Sequence, residues 1–176
     1  MQEDKRKNER GQPSLMADSV LLVFKVAFAC IFLVIVFSVI FGLDVAKDES
    51  MKPAVREGDI VLYYRLNKDY RARDLVVVEE EGEEYVRRVI ATAGDEVDMN
   101  ENGILINGYG QQEDEIYTDT EAFVDGINYP LSIAEGQVFV MGDDRPTSRD
   151  SRLYGPVDVK SATKGRVLYV LKRRHL

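Results

Sequence analysis

Apolar residues follow two regimes along this chain. From Val20 to Leu43 nearly every position is apolar and Lys25 carries the only charge. Beyond Asp44 they come in short runs broken by Gly, Asp, Asn and charged residues. As a helix, the 24 residues of the first regime span ~36 Å, against ~30 Å of bilayer hydrocarbon. Lys25 sits one turn in, where a long side chain reaches the headgroups; a core of Val26–Leu43 still gives ~27 Å. The run is long for the apolar region of a cleaved leader, and Asp44 stands where such a cut needs a small residue. The expectation is an uncleaved anchor over 20–43, preceded by a polar tail (1–19) and followed by a folded domain (44–176). Lys5, Arg6, Lys7 and Arg10 before the span narrowly outweigh Lys47, Lys52 and Arg56 after it, which places the N-terminus in the cytoplasm and the domain outside.

The second regime reads as β. Asp59–Tyr64, Leu75–Val78, Tyr85–Ile90, Gly103–Gly108, Gln137–Met141 and Arg166–Leu171 are short runs rich in β-branched and aromatic residues, punctuated by turn formers. No long stretch has a 3.6-residue apolar period. The predicted fold class is mainly β, an antiparallel β-sheet domain on a single N-terminal transmembrane helix. Gln111–Asp125 is acidic (Glu113, Asp114, Glu115, Asp119, Glu121, Asp125) and reads as a solvated loop. Lys172, Arg173 and Arg174 read as a solubilising basic end.

Composition narrows the chemistry. With 45% hydrophobic and 31% charged residues, the chain is of globular type, and about 130 residues beyond the span suffice for one core. A net charge of −8 argues against nucleic acid as partner. Cys30, the one cysteine, lies in the apolar run, so an intrachain disulfide is excluded and a thiol protease or Cys-based metal site is not expected. His175, the one histidine, is next to last, a poor place for the base of a Ser-His-Asp triad. No metal-ligand pattern is visible and no cofactor is expected.

Four stretches carry a more specific signal. Ser50-Met51-Lys52-Pro53 follows the span; Gly58-Asp59-Ile60-Val61 comes next; then Arg87-Arg88-Val89-Ile90 with Gly94-Asp95; then Gly142-Asp143-Asp144-Arg145 through Ser148, Asp150, Ser151 and Arg152. In this order they resemble the boxes of the type I signal peptidase family, and the long last box is the most distinctive. The resemblance implies a serine endopeptidase fold outside the cytoplasmic membrane that removes signal peptides from exported preproteins. Ser50 matches the nucleophile and Arg87 the position of the family's general-base lysine. Ser148 matches the residue that hydrogen-bonds the base, and Asp143, Arg145, Asp150 and Arg152 match residues whose ion pairs hold the site together. Asp48, with Ser50, falls in the oxyanion region. Ser50 lies seven residues past Leu43, within ~25 Å of the anchor's end.

The match departs from the family where it matters most. Serine attacks a peptide only when a base takes its proton. Bringing a lysine from ~10.4 to ~8 costs on the order of 3 kcal/mol, whereas an arginine needs roughly 5 units or more. Arg87 is therefore expected to stay protonated and to have no lone pair to offer. Asp48 replaces a small hydroxyl residue or glycine, and Ala91 and Ala93 replace a glycine and a proline. Two functions stay open. One is a non-catalytic relative that binds signal-peptide-like, surface-protein or pilin segments for secretion or pilus-type assembly. The other is an active peptidase using Ser50 with an unconventional base such as Lys52, which shares a face with Ser50 if the segment is extended. The span and the lack of a DNA-binding region argue against a self-cleaving Ser/Lys regulator. The lipid bilayer is a partner in either case.

Overall fold

The computed structural model describes residues 15–101, 103–111 and 116–173. Residues Met1–Gln12 of the predicted tail, Glu113, Asp114 and Glu115 of the acidic stretch, and Arg174 and His175 lie outside them. The chain divides into two units, 1–39 and 40–176.

The first unit contains helix α1 (Leu15–Ile40) up to Val39, with exposed apolar side chains nearly throughout from Ala17 on. Its Ala17–Ile40 portion has a mean hydropathy of 3.0, enough in length and composition to cross a bilayer. The helix ends three residues earlier than the apolar run predicts. Phe41-Gly42-Leu43 belongs instead to strand β1 (Phe41–Val45), which pairs antiparallel with β2 (Ile60–Tyr64) in the register Phe41↔Tyr64 to Val45↔Ile60. Gly42 permits this. A Cβ there would lie 2.1 Å from Cζ of the buried Tyr63 ring, so only glycine lets β1 lie flat over it. Apolar composition cannot distinguish the end of a span from a buried strand, and tertiary pairing decided between them.

The remaining strands are β3 (Leu75–Glu80), β4 (Glu83–Thr92), β5 (Glu96–Asn100), β6 (Gly103–Ile106), β7 (Tyr109–Gly110), β8 (Leu131–Ser132), β9 (Gln137–Met141), β10 (Val157–Asp158) and β11 (Thr163–Leu171). A four-residue helix, α2 (Ser151–Tyr154), separates β9 from β10. One antiparallel sheet has the order β1-β2-β11-β3-β4-β9-β10, and a smaller one the order β7-β6-β5-β8. The fold is mainly β, as the strand runs predict.

Three apolar clusters hold the second unit together. Val61, Tyr63, Val77 and Val86 pack with Met51 and Val55, which fasten the turn after β1 onto the sheet. Val76, Val78, Val89, Val138 and Val140 pack with Tyr70. Ile90, Ala91, Phe139 and Met141 join the large sheet to Val97, Ile104 and Ile133. Val76, Val77 and Val78 are all buried, so β3 is covered on both faces, which is why it reads as a continuous apolar run rather than an alternating one.

Candidate functional site

Ser50 sits at the start of a tight turn. Ala46 still hydrogen-bonds the β2 side, its N–H to the Asp59 carbonyl at 2.9 Å and its carbonyl to the Gly58 N–H at 2.8 Å. Then the chain turns, with Lys52 N–H to the Glu49 carbonyl at 3.1 Å and Val55 N–H to the Met51 carbonyl at 2.8 Å. Met51 and Val55 are each 1% exposed and pin the turn from below. Asp59 pins it from behind: its carboxylate accepts from the Arg56 N–H at 2.9 Å and the Arg173 N–H at 2.8 Å, and lies 3.6 Å from Lys172 Nζ. Burial pushes the Asp59 carboxyl up, but the two backbone N–H groups and the Lys172 ammonium outweigh it and leave it below the usual range.

Arg87 comes from β4 and is 1% exposed. Its Nη1 donates to Ser50 Oγ at 2.8 Å and to the Val86 carbonyl at 2.7 Å, and its Nε to the Arg149 carbonyl at 3.1 Å. Its Nη2 pairs with Asp48 Oδ2 at 3.2 Å, and the guanidinium carbon lies 5.0 Å from the Tyr85 ring centroid. Asp48 Oδ1 in turn accepts from Ser50 Oγ at 2.7 Å and from the Ser50 N–H at 3.3 Å. The Ser50 hydroxyl thus donates to a carboxylate and accepts from a guanidinium. The structure brings Asp48, Ser50 and Arg87 into one closed hydrogen-bonded ring.

The segment after β9 closes over this ring. The Asp144 N–H donates to the Ser50 carbonyl at 2.7 Å. A Cβ on Gly142 would lie 2.7 Å from that carbonyl and 2.3 Å from Ser148 Oγ, so glycine is what allows the two segments to approach. Asp143 takes a two-point contact from Arg88, Nε to Oδ1 and Nη2 to Oδ2, both at 2.7 Å. Asp150 caps α2 by accepting the Arg152 N–H at 3.1 Å, accepts the Gly142 N–H at 3.1 Å, and holds the Arg152 guanidinium at 2.9 Å through both oxygens. Arg145 Nε donates to the Gly142 carbonyl at 2.8 Å, and Arg152 lies 4.7 Å from the Phe123 ring. Asp143, Arg145, Asp150 and Arg152 are all at most 2% exposed.

Two sequence-based expectations differ from this geometry. Ser148 does not hydrogen-bond residue 87: among the described residues its buried Oγ has no partner, because the guanidinium is directed to Ser50, Asp48 and two carbonyls. Lys52 does not approach the Ser50 hydroxyl. The segment turns rather than extends, and Lys52 Nζ pairs with Glu49 at 3.2 Å, half exposed. Arg88, Gly142, the Arg149 carbonyl and the Asp144 N–H also belong to the site, with roles that the sequence boxes alone do not indicate. Arg88 had a visible signal, a second arginine beside the aligned position; the backbone groups had none. Among the described residues no cluster of His, Cys, Asp or Glu is arranged to hold a metal ion.

The profile of the family described as "Signal peptidase, peptidase S26" matches residues 19–171, which takes in Asp48, Ser50, Arg87 and the segment from Gly142 to Arg152. The chain belongs to that family. It is similar to signal peptidase I P of Bacillus subtilis subsp. natto, 30% identical over 138 residues, covering 72% of this chain and 74% of the relative. It is also similar to signal peptidase IB of Staphylococcus aureus, 29% identical over 154 residues, covering 77% of this chain and 81% of the relative. A signal peptidase I from Enterococcus faecalis superposes with a TM-score of 0.47 at 25% identity, over 57% of this chain and 97% of that one. Membership in the signal peptidase family implies preproteins with signal peptides as substrates. With α1, it points to a membrane-anchored protein.

Proposed function

We propose that this signal peptidase relative holds signal-peptide-like segments beside Ser50 without cleaving them by the family's lysine route. One observation carries the reading: Arg87 Nη1 donates a hydrogen bond to Ser50 Oγ at 2.8 Å, where the family's lysine route needs residue 87 to accept one. A guanidinium has donors only and stays charged. Asp48 adds to this, since its Oδ1 already takes the Ser50 N–H and the Ser50 hydroxyl proton, and a carboxylate there repels a developing oxyanion.

Binding has its own support. From Glu83 to Arg87, β4 pairs only with β3, because its pairing with β9 begins at Arg88. Among the described residues no backbone hydrogen bond joins 46–50 to 83–87. The two segments meet through the side-chain contacts Lys47–Glu83, Asp48–Arg87 and Ser50–Arg87. An extended client segment, from a preprotein, a surface protein or a pilin, adds as a strand along this outer edge of β4, where the Val86 carbonyl already accepts from Arg87 Nη1. The N-terminus is cytoplasmic and the β domain lies outside, serving secretion or pilus-type assembly. A peptidase using Lys52 as base is the less supported reading, since Lys52 pairs with Glu49 away from Ser50.

The test is incubation of the purified full chain in detergent with a model preprotein, with Ser50→Ala as control. No cleavage above the control by a folded protein is expected. Cleavage that disappears in Ser50→Ala would overturn the reading.

A further inference from the structure

The Asp48 side chain is the solvent-side member of the ring around Ser50. It is 33% exposed, whereas the Arg87 side chain beneath it is 2% exposed. Its carboxylate is held by a guanidinium nitrogen at 3.2 Å, a hydroxyl at 2.7 Å and a backbone N–H at 3.3 Å. Those three donors form a cradle for a carboxylate, built from a buried cation and a turn. Asp48 occupies it from the irregular stretch just before the turn, with no backbone hydrogen bond of its own among the described residues.

We propose that the cradle is a binding site for the carboxylate of a client peptide, and that Asp48 is its removable internal occupant. The inference rests on the groove reading given above, since the peptide reaches the cradle along the free edge of β4. A buried guanidinium without an anion is strongly disfavoured, so Asp48 leaves only when another carboxylate takes its place. Arginine suits this exchange better than lysine, because its planar fork of donors matches a carboxylate. The ligand is then a peptide that ends beside Ser50, the form a signal peptide has after cleavage, or one with an acidic side chain there. No covalent step is involved, and a neutral peptide amide gains nothing from the cradle.

The experiment uses the full chain in detergent micelles and three fluorescent alanine-rich nonapeptides. One has a free C-terminal carboxylate, one is its C-terminal amide, and one is an amide ending in glutamate. The free acid should bind about tenfold more tightly than the plain amide, as expected for one charge-assisted contact. Asp48→Asn should raise the acid's affinity further, and Arg87→Met should abolish the preference. If the glutamyl amide matches the acid, the cradle accepts a side-chain carboxylate as well; if it binds like the plain amide, the terminal group is required. Equal binding of acid and plain amide by the unaltered protein would overturn the proposal while leaving the groove reading intact, and it needs no variant to fold. Absence of binding by all three peptides, to the unaltered protein and to Asp48→Asn alike, would overturn both.

Discussion

A lysine at position 87 would have one nitrogen to share between Ser50 and Ser148, whereas the arginine has three and places none on Ser148. The buried Ser148 hydroxyl, without a partner among the described residues, is therefore a probe of which residue at 87 this site accommodates. On the proposed reading, Arg87→Lys should give hydrolysis only together with Asp48→Ser, because Asp48 still holds both the Ser50 proton and its N–H. Preprotein cleavage by the single and double variants measures this, and equal activity of the two would show that Asp48 is no obstacle. Asp59 gives a residue-scale prediction about stability. Asp59→Asn should cost roughly 1–3 kcal/mol near neutral pH, from buried donors losing a charged acceptor. Its carboxyl is lowered in the folded state, so its contribution is present above the ordinary Asp range and lost as pH falls through the lowered value. Denaturant melts should show the two proteins converging in acid. Ser50 and Arg87 were legible in the sequence because each stands in a short motif. The Arg88–Asp143 pair and the double hold of Asp48 on Ser50 were not, since both depend on how β4 and two turns meet in space.

Among the elements, β1 requires glycine at one position. Gly42→Ala should destabilise the domain by about 1–3 kcal/mol, because the new methyl meets the buried Tyr63 ring and the core cannot expand to take it. A lowered thermal midpoint with unchanged α-helix content would show it. At α2, Asp150→Asn should cost about 3–5 kcal/mol, since Arg152 would be left charged and buried without its partner. Asp150→Asn with Arg152→Met should cost less, since the buried charge is gone and an amide oxygen still accepts a backbone N–H, and urea melts of single and double variants separate the cases. The strands that were legible in the sequence, β2, β3, β4, β6, β9 and β11, are those with dense β-branched runs. β5 (Glu96–Asn100) was missed because it alternates with acidic and amide residues. β7, β8 and β10 are two residues each and leave no pattern to read. β1 was absorbed into the helix because its apolar residues continue those of the span.

For the whole molecule, the second unit meets alkali through its tyrosines. Burial pushes the Tyr129 hydroxyl up to about 12, with Arg152 pulling it the other way. The unfolded chain ionises such a group near ~10, so this contribution is complete below that pH and is lost as pH rises toward 12. The exposed Tyr109, Tyr117 and Tyr169 ionise first, so absorbance titration should show a late fraction of the tyrosine signal that appears only together with unfolding. A further consequence comes from the sheet order. β11 is the last strand in sequence, yet it lies between β2 and β3. A ribosome making this chain therefore releases β2 and β3 long before the strand that joins them exists. Until Leu171 has emerged, two strand edges face an empty place, and Lys172 and Arg173 are not there to brace the turn that presents Ser50. A chain cut short by its last dozen residues would keep the four sequence boxes and lose an interior strand of its sheet. Such a fragment depends on whatever holds nascent chains until they are complete, and loss of the C-terminal end should be the most damaging small truncation of the domain.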